Sequence, residues 1–285
     1  IQMGEANNWS AQETHDRLKA YYDGYHFSRR NMVDVYNPYS LVNALKSKEI
    51  INFWASSGAT SLIPKFVDNA ELRLSKFENC SVMRNTLELS DVSGGGAELF
   101  LYQSGYLTIK ESDEFGYILG FPNEEVKQAL YETVLPALAM RSENEILSLQ
   151  ACLYRELGTG QVDEAMKSLK ALIADVPYSN KKLASMDMEE RYRLIISTIL
   201  NAIGLSVEVE RMMSTGRIDM TVKTSRYIYV IELKLHNNGG KEAATEQILN
   251  RQYMEPFKAD KRKVIGLGIE LDEEGKGLLD WKRAE

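Results

Sequence analysis

The chain is 285 residues long, 44% of its residues are hydrophobic, and its formal net charge at pH 7 is −7. This length allows two or three domains with sizeable cores, and the lack of a long apolar run or a signal-like opening predicts a cytoplasmic protein without membrane spans. The negative charge argues against simple attraction to a nucleic-acid backbone. Cys80 and Cys152 lack metal-ligand spacing and are expected to be reduced.

The first part of the chain predicts alternating helices and strands. Residues 7–22 are expected to form one helix, and residues 37–45 a second helix that begins at an Asn-Pro pair. Residues 99–109 and 116–120 have the apolar composition of a β-hairpin. We therefore assign residues 1–120 to a first domain of α+β type.

The middle of the chain predicts helices and shows no motif that carries chemistry. Residues 127–175 have apolar side chains at the spacing of packed helices, with one break at residues 158–160. A polar stretch that contains a proline, residues 177–180, is the expected linker. The prediction is a helical linker region at residues 121–180, followed by a domain at residues 181–285.

The last domain has the element order of a mixed sheet with flanking helices. The expected elements are a helix at residues 188–203, strands at 205–213, 215–224 and 227–235, a helix at 241–257 and a strand at 263–271. The sequence as a whole predicts an α/β fold, with an α+β first part, a mostly helical middle and a mixed C-terminal sheet.

The predicted hairpin at residues 215–235 places three polar side chains together. Only two residues, Ser-Arg, separate its strands, so a turn centred there pairs Asp219 with Glu232 directly across the ladder. Lys234 shares their face because side chains alternate along a strand. Ser-Arg is not a favoured hairpin pair, and a three-residue loop would shift the register. The other face is expected to be core: Ile218, Met220, Val222, Tyr229, Ile231 and Leu233.

A metal ion explains two opposed carboxylates better than folding does. Like charges directly opposed in a sheet are destabilising, and partial burial adds to that cost. A Mg²⁺ or Mn²⁺ ion held by Asp219 and Glu232 could activate water and neutralise a phosphoryl oxygen. Lys234 is a candidate to orient that water or to offset charge on phosphorus. The alternative is that the two carboxylates are surface groups in loose ion pairs with Arg217 and Lys234.

These residues and the element order around them resemble the PD-(D/E)XK nuclease superfamily, whose core runs helix, three strands, helix, strand. The resemblance implies a restriction-endonuclease-like fold flanked by helices. It also implies that Asp219 and Glu232 are metal ligands and that Lys234 is the catalytic lysine. The Leu233 carbonyl becomes a candidate for a further ligand.

Two further site candidates follow from the same resemblance. Gln247 is expected on the sheet-facing side of the second helix, where the superfamily often places a polar residue near the metal; a buried amide bonded to backbone is the alternative. Many members carry a metal-binding Glu on the first helix, and Glu190 is the best match. Helical geometry disagrees, because Glu190 lies nearly opposite the apolar stripe and Glu189 lies nearer its edge.

The first part of the chain resembles the end of a bacterial AAA-ATPase-like domain that is commonly fused to such a nuclease. The resemblance rests on YDGYHF at residues 22–27, VYNPYSL at 35–41, LYQSGYLT at 101–108 and LGFPN at 119–123. A P-loop of the form GxxxxGK[ST] does not occur in these residues, and the chain opens at Ile1. We therefore expect a fragment that lacks the nucleotide site and does not hydrolyse ATP.

The charge distribution leaves more than one function open. Residues 186–285 hold 16 basic and 17 acidic side chains, whereas residues 1–185 hold 18 and 24, so the nuclease-like part is nearly neutral. The predicted function is a Mg²⁺- or Mn²⁺-dependent nuclease acting on nucleic acid, with DNA expected ahead of RNA. One alternative is a catalytically silent nuclease-fold module for binding or assembly, regulated by the missing ATPase domain. Another is activity only in a longer chain that includes the ATPase.

Overall fold

The computed structural model describes residues 2–26, 32–57, 74–88, 96–139, 143–174 and 186–284. The chain divides into two compact units, Ile1–Thr133 and Val134–Glu285. The domain boundaries expected after residues 120 and 180 stay predictions. The expected linker at residues 177–180 and Phe27 of the YDGYHF string lie outside the described residues.

The first unit combines helices with a small antiparallel sheet, the α+β arrangement expected from the sequence. Among its described residues the strands are β1 (Cys80–Met83), β2 (Thr108–Ser112) and β3 (Gly116–Gly120), in the spatial order β1-β3-β2. The helices are α1 (Gln2–Asn7), α2 (Ala11–Tyr22), α3 (Pro38–Ser47), α4 (Arg84–Glu88), α5 (Gly96–Gln103) and the first part of α6 (Glu124–Ala139).

Two predicted elements of this unit are wrong in part. The helix expected over residues 7–22 is divided, because Asn8 has a left-handed φ of 57° and Ser10 caps α2 by accepting a hydrogen bond from the Glu13 N–H at 3.1 Å. The first strand of the expected hairpin begins only at Thr108, since the apolar residues before it belong to α5. A short apolar run does not distinguish a buried helix from a strand.

The second unit is built on a mixed sheet of five strands with helices against it, and this confirms the predicted fold class. The strands follow chain order across the sheet: β4 (Ser206–Met213), β5 (Gly216–Lys223), β6 (Tyr227–Leu235), β7 (Lys263–Leu271) and β8 (Leu278–Ala284). The helices are the rest of α6, α7 (Glu143–Thr159), α8 (Val162–Ile173), α9 (Met188–Ala202) and α10 (Gly240–Asn250). None of the helices in the described ranges of either unit is long and apolar enough to cross a membrane.

The neighbouring strands β6 and β7 are connected through a helix. β6 and β7 are parallel, whereas the other neighbouring strands are antiparallel. Parallel neighbours need a crossover connection, and α10 provides it. The order helix, three strands, helix, strand agrees with the prediction, and β8 is an additional edge strand that the sequence did not indicate.

The second predicted helix of this domain is wrong at its end. It was expected over residues 241–257, but α10 stops at Asn250. Gln252 then has a left-handed φ of 54°, and a short 3-10 turn, Glu255–Phe257, contains Pro256. Proline has no N–H to donate to a preceding turn, so it does not continue the helix.

Both faces of β6 are covered by helices. The Tyr229 hydroxyl donates to the Leu157 carbonyl of α7 at 2.6 Å, so Tyr229 faces α7. Ile228 and Val230, on the opposite face, pack in a core cluster with Ile248 of α10. The expectation of one apolar face and one chemical face is therefore wrong for most of the strand.

Ile218 also departs from the predicted alternation. It was expected on the face of Met220, but it packs in the cluster that contains Ile228 and Val230. The hydrogen-bonded register of β5 with β6 extends only to the pair Met220 and Ile231. Beyond that pair the carboxylates of Glu232 and Asp219, and not backbone carbonyls, accept the hydrogen bonds between the two strands.

Candidate active site

The β5–β6 hairpin has the register expected from the sequence. Its ladder pairs Met220 with Ile231, and the Thr224 N–H donates to the Tyr227 carbonyl at 2.9 Å across a two-residue turn. Thr224 Oγ1 also accepts from the N–H groups of Arg226 at 3.3 Å and Tyr227 at 2.9 Å. This hydroxyl stabilises the turn locally and explains how a Ser-Arg pair closes it.

Asp219 and Glu232 meet where the β5–β6 ladder ends. The Asp219 N–H donates to Glu232 Oε1 at 3.1 Å, and the Leu233 N–H donates to Asp219 Oδ2 at 3.0 Å. Carboxylate oxygens therefore accept the bonds that backbone carbonyls accept further along the ladder. The structure thus brings the two predicted residues together and holds each on the backbone of the neighbouring strand.

Glu232 is the buried member of this pair. Only 1% of its surface is exposed, whereas 17% of the Asp219 side chain is exposed. Burial and, after it, the negative charge of Asp219 raise the pKa of the Glu232 carboxyl to about 8, although the charge of Lys234 acts in the opposite direction. Glu232 is therefore mostly protonated at neutral pH when no cation is bound.

Gln247 supports Glu232 from α10. Its Nε2 donates to Glu232 Oε2 at 2.9 Å, so the partner of this amide is the carboxyl group and not the backbone. Each oxygen of Glu232 accepts one hydrogen bond: Oε1 accepts from the Asp219 N–H, and Oε2 accepts from Gln247 Nε2. Two donors from different elements therefore fix the orientation of the Glu232 carboxyl.

Lys234 lies two residues beyond Glu232 on β6, at the same end of the hairpin. Its side chain is half-buried, and within the described ranges its ammonium has no hydrogen-bond or ion-pair partner. A half-buried ammonium without a protein partner is suited to an anionic group supplied from outside. This is the placement expected from the sequence.

Glu189 of α9 contacts the end of β6. Its Oε1 accepts from the Leu235 N–H at 3.3 Å and from Asn238 Nδ2 at 3.3 Å. Glu190 is in the first turn of the helix, where its N–H donates to the Asp187 side chain at 2.8 Å. The helical count that placed Glu189 nearer the sheet agrees with this contact, and a metal-ligand role for Glu190 stays a prediction.

Arg193 belongs to the site and was not found from the sequence. Its Nη1 donates to Glu210 Oε1 at 2.7 Å and to Asp219 Oδ1 at 3.4 Å, and only 12% of its side chain is exposed. The loose pair of Asp219 with Arg217 is not seen, because Arg217 pairs with Glu210 at 3.1 Å. The spacing held a signal: Arg193 follows Glu189 by four residues and so projects from the same side of α9.

A second polar cluster lies where β6 ends and α10 begins. His236 Nδ1 lies 2.6 Å from Glu270 Oε1, and Glu270 Oε2 accepts from the Lys241 N–H at 3.3 Å. The hydrogen bond to Glu270 raises the pKa of His236, which is exposed and begins a short 3-10 turn. The hydrogen bond from the Lys241 N–H therefore connects the start of α10 to β7.

Asp219 and Glu232 are the two side chains of this cluster suited to a divalent cation. Across the described parts of the chain, no group of three or more His, Cys, Asp and Glu side chains is arranged to hold a metal ion. A cation of the Mg²⁺ type commonly takes only one or two protein carboxylates and completes its shell with water and substrate oxygens. Burial first, and then the charge of Asp219, raises the pKa of Glu232, and a bound cation would favour its ionised form, so the residues present fit such an ion.

Comparison with known proteins identifies the last part of the chain. Residues 187–281 match the family model of the PD-(D/E)XK nuclease superfamily. A protein described as "Uncharacterized protein in vnfD 5'region", from Azotobacter chroococcum mcd 1, is 26% identical over 279 residues, which are 93% of this chain and 52% of that protein. The chain thus spans about half the length of the curated relative that it matches. No solved structure matches it.

The matched region coincides with the site and its sheet. It begins at the N-cap of α9 and ends within β8, so it includes Asp219, Glu232, Lys234 and Gln247. Neither match identifies the earlier residues as part of an ATPase, and the AAA-ATPase-like resemblance stays a prediction. Residues 187–281 form a PD-(D/E)XK nuclease superfamily domain.

Proposed function

We propose that the domain at residues 187–281 is a metal-dependent nuclease that hydrolyses phosphodiester bonds in nucleic acid. The observation that supports this proposal most directly is that Asp219 and Glu232 lie together at the end of the hairpin ladder, each hydrogen-bonded to the backbone of the neighbouring strand. Two neighbouring carboxyl groups, one of them buried, do not both ionise readily unless a cation is present. The superfamily match over the same residues supports the same chemistry.

The donor atoms favour Mg²⁺ or Mn²⁺. Asp219, Glu232 and the Leu233 carbonyl are the groups that would hold the ion, and all three are oxygen donors, which hard cations prefer. The ion supplies a Lewis acid for a phosphoryl oxygen and makes water more acidic. Because a proton occupies Glu232 near neutral pH, metal affinity is expected to increase as the pH rises towards 8.

The side chains around these ligands prepare them for a phosphodiester. The Leu233 N–H holds Asp219 Oδ2, and the Gln247 amide holds Glu232 Oε2. Lys234 brings an ammonium to the same strand end, where it offsets charge that develops on the phosphate or orients the attacking water. Positioned groups of this kind lower the barrier because they need no rearrangement during the reaction.

Nucleic acid is the proposed substrate class, with DNA ahead of RNA. A divalent cation, two carboxylates and a lysine together stabilise displacement at phosphorus. Residues 186–285 carry 16 basic and 17 acidic side chains, so contacts to the backbone phosphates must come from local basic groups and not from net charge. A related proposal is that the nuclease is active only in a longer protein that includes an ATPase.

A binding module without turnover is the second candidate. The net charge of −7 favours it, because an acidic chain is repelled by a phosphate backbone. In that case Asp219 and Glu232 serve only the packing of the hairpin and need no metal. The two candidates differ directly in whether the carboxylate pair binds a divalent cation.

Calorimetric titration with Mn²⁺ is the first test. The unmodified chain is compared with the D219A/E232A double variant and with a matched control, E242A/E246A, which removes two exposed carboxylates from α10. We expect the chain and the control to bind Mn²⁺ equally and the D219A/E232A variant not to bind. Absence of binding to the unmodified chain would overturn the nuclease proposal and support the binding module.

Cleavage of labelled DNA and RNA in Mg²⁺ is the second test. The K234M variant keeps both proposed ligand side chains, so it is expected to retain Mn²⁺ binding and to lose cleavage, because Lys234 is proposed to act on the phosphate. The E242A/E246A variant is again the control. Unchanged cleavage by K234M would remove Lys234 from the mechanism while leaving the metal site in place.

A further inference from the structure

Arg193 joins two carboxylates that lie opposite each other on neighbouring strands. The antiparallel register of β4 and β5, which is regular on both sides, places Glu210 opposite Asp219. The Arg193 Nη1 atom donates to both, at 2.7 Å to Glu210 and 3.4 Å to Asp219. The guanidinium reaches these strands from α9 and is largely buried. Its position therefore depends on packing and not on the mobility of a surface side chain.

The backbone of Glu210 has an uncommon conformation at this point. Its φ is 54°, in the left-handed region that is disfavoured for residues other than glycine. Such conformations persist where the surrounding structure maintains them, and they cluster at functional sites. Here the conformation occurs at the strand position opposite a proposed metal ligand, and the Glu210 carboxylate lies against Arg193.

Both oxygens of Asp219 are held by the protein. The Leu233 N–H donates to Oδ2 at 3.0 Å, and Arg193 donates to Oδ1. A carboxylate oxygen has two lone pairs, so each oxygen keeps one for another ligand. Two fixed donors therefore set the plane of the Asp219 carboxylate and the direction of its remaining lone pairs.

We propose that Arg193 is a positioning residue that orients Asp219 for the divalent cation, and that Glu210 holds Arg193 in place for this role; the inference rests on the proposed function. Glu210 also offsets part of the charge of the guanidinium, although it is shared with Arg217.

Orientation and charge make different predictions for substitutions of Arg193. In arginine the Nη1 atom that donates to both carboxylates is fixed in a rigid planar guanidinium, whereas lysine is a compact charge on a flexible stem. If Arg193 acted by charge alone, R193K would behave like the unmodified chain and R193M would bind a cation more tightly. If it acts by orientation, both variants bind the cation more weakly.

The test is the affinity for Mn²⁺, measured by calorimetry on the full chain and its R193K, R193M and R217M variants. Arg217 is the matched control, because within the described residues it pairs with Glu210 and not with Asp219. We expect both Arg193 variants to bind about tenfold more weakly, the loss typical of groups that support metal ligands, and R217M to bind as the unmodified chain does. Affinity of R193K and R193M equal to or tighter than that of the unmodified chain would overturn the proposal.

The E210Q variant tests the second half of the proposal and remains informative if an Arg193 variant does not fold. Glutamine keeps the shape of the side chain but removes the charge that anchors the guanidinium, so we expect weaker Mn²⁺ binding with unchanged circular dichroism. The R193M/E210Q double variant should bind no more weakly than R193M, because residues that act through one another are not additive. Fully additive losses would show that Glu210 does not act through Arg193.

The same measurements separate this inference from the proposed function. An unmodified chain that does not bind Mn²⁺ overturns both. An unmodified chain that binds Mn²⁺ through Asp219 and Glu232, with R193K, R193M and E210Q unchanged, overturns the role of Arg193 alone.

Discussion

Glu208 on β4 and Glu232 on β6 are carboxylates of one sheet with opposite surroundings. Partial burial tends to raise the pKa of Glu208, but hydrogen bonds from Lys223 Nζ and Arg211 Nη1, each at 2.6 Å, outweigh it and lower that pKa. The donors to Glu232 are neutral, the backbone of Asp219 and the amide of Gln247. Burial and the charge of Asp219 raise the pKa of Glu232 to about 8.

The protein thus compensates the negative charge of Glu208 with cationic side chains but donates only neutral hydrogen bonds to Glu232. Cationic side chains complete the surroundings of Glu208, so folding alone accounts for it. The surroundings of Glu232 cost stability when it is ionised, and such groups are concentrated at functional sites. A divalent cation is the partner that we propose for Glu232, and the following predictions test the contrast between the two residues.

The largest expected effect is on cleavage. E232Q removes a proposed metal ligand, and because metal chemistry contributes several kcal/mol to the transition state, we expect the rate in saturating Mg²⁺ to fall on the order of 10³-fold. E208Q removes a carboxylate of the same sheet and should leave the rate unchanged. The measurement is the initial rate of DNA cleavage by both variants and the unmodified chain. Equal rates for E232Q and the unmodified chain would contradict the role given to Glu232.

The next effect concerns stability and pH in the metal-free chain. Between the ordinary carboxyl pKa of about 4.3 and the folded value of about 8, Glu232 binds more protons in the folded than in the unfolded state. Its contribution to the free energy of unfolding is therefore present at low pH and is lost as the pH rises through this range, by a few kcal/mol at most.

Denaturant unfolding at pH 5 and pH 8.5 checks this sign. The free energy of unfolding of E232Q should exceed that of the unmodified chain at pH 8.5 and lose this advantage at pH 5. The lowered pKa of Glu208 predicts the reverse, because its contribution is present above the usual carboxyl pKa and is lost as the pH falls. An identical pH dependence for E232Q and the unmodified chain would mean that Glu232 ionises normally.

Metal binding should stabilise the chain only when the carboxylate pair is intact. A ligand at about 100 times its dissociation constant adds about 2.7 kcal/mol to the free energy of unfolding. We expect Mn²⁺ to raise the melting temperature of the unmodified chain and of E208Q at pH 8, and to have little effect on D219A. Equal shifts in all three proteins would indicate that Mn²⁺ binds elsewhere.

The smallest effect is expected at the balanced carboxylate. K223M removes one cationic partner of Glu208, but this pair is partly exposed to solvent, so the loss of stability should stay below about 1 kcal/mol. Cleavage and Mn²⁺ affinity should not change. A loss of cleavage in K223M would show that the Glu208 pair also serves the site, and the contrast drawn between the two carboxylates would fail.

Much of the site could be predicted because it lies on one local element. The register of a hairpin with a two-residue turn follows from counting, and the alternation of side chains then places Asp219, Glu232 and Lys234. Gln247 was predicted on a helix that faces the sheet, and its amide does contact Glu232. Each of these placements rests on short-range periodicity, which a sequence contains.

Contacts between distant elements could not be predicted in the same way. Arg193 and Asp219 are 26 positions apart, on a helix and a strand whose relative placement no local pattern specifies. Ile218 packs in the cluster with Ile228, Val230 and Ile248 of α10, a placement that alternation counted from the turn did not predict. The end of α10 was also misjudged, since the turn at Gln252 interrupts a run of good helix formers.

The sequence by itself determined the order helix, three strands, helix, strand at residues 188–271, the pairing in the hairpin and the identity of the two opposed carboxylates, because these follow from backbone periodicity over a few residues. Only the tertiary structure decided that Glu232 is buried with a raised pKa, that Glu189 contacts the end of β6, and that Arg193 bridges Glu210 and Asp219. Burial and charge balance depend on which elements pack together, and packing is a property of the whole domain.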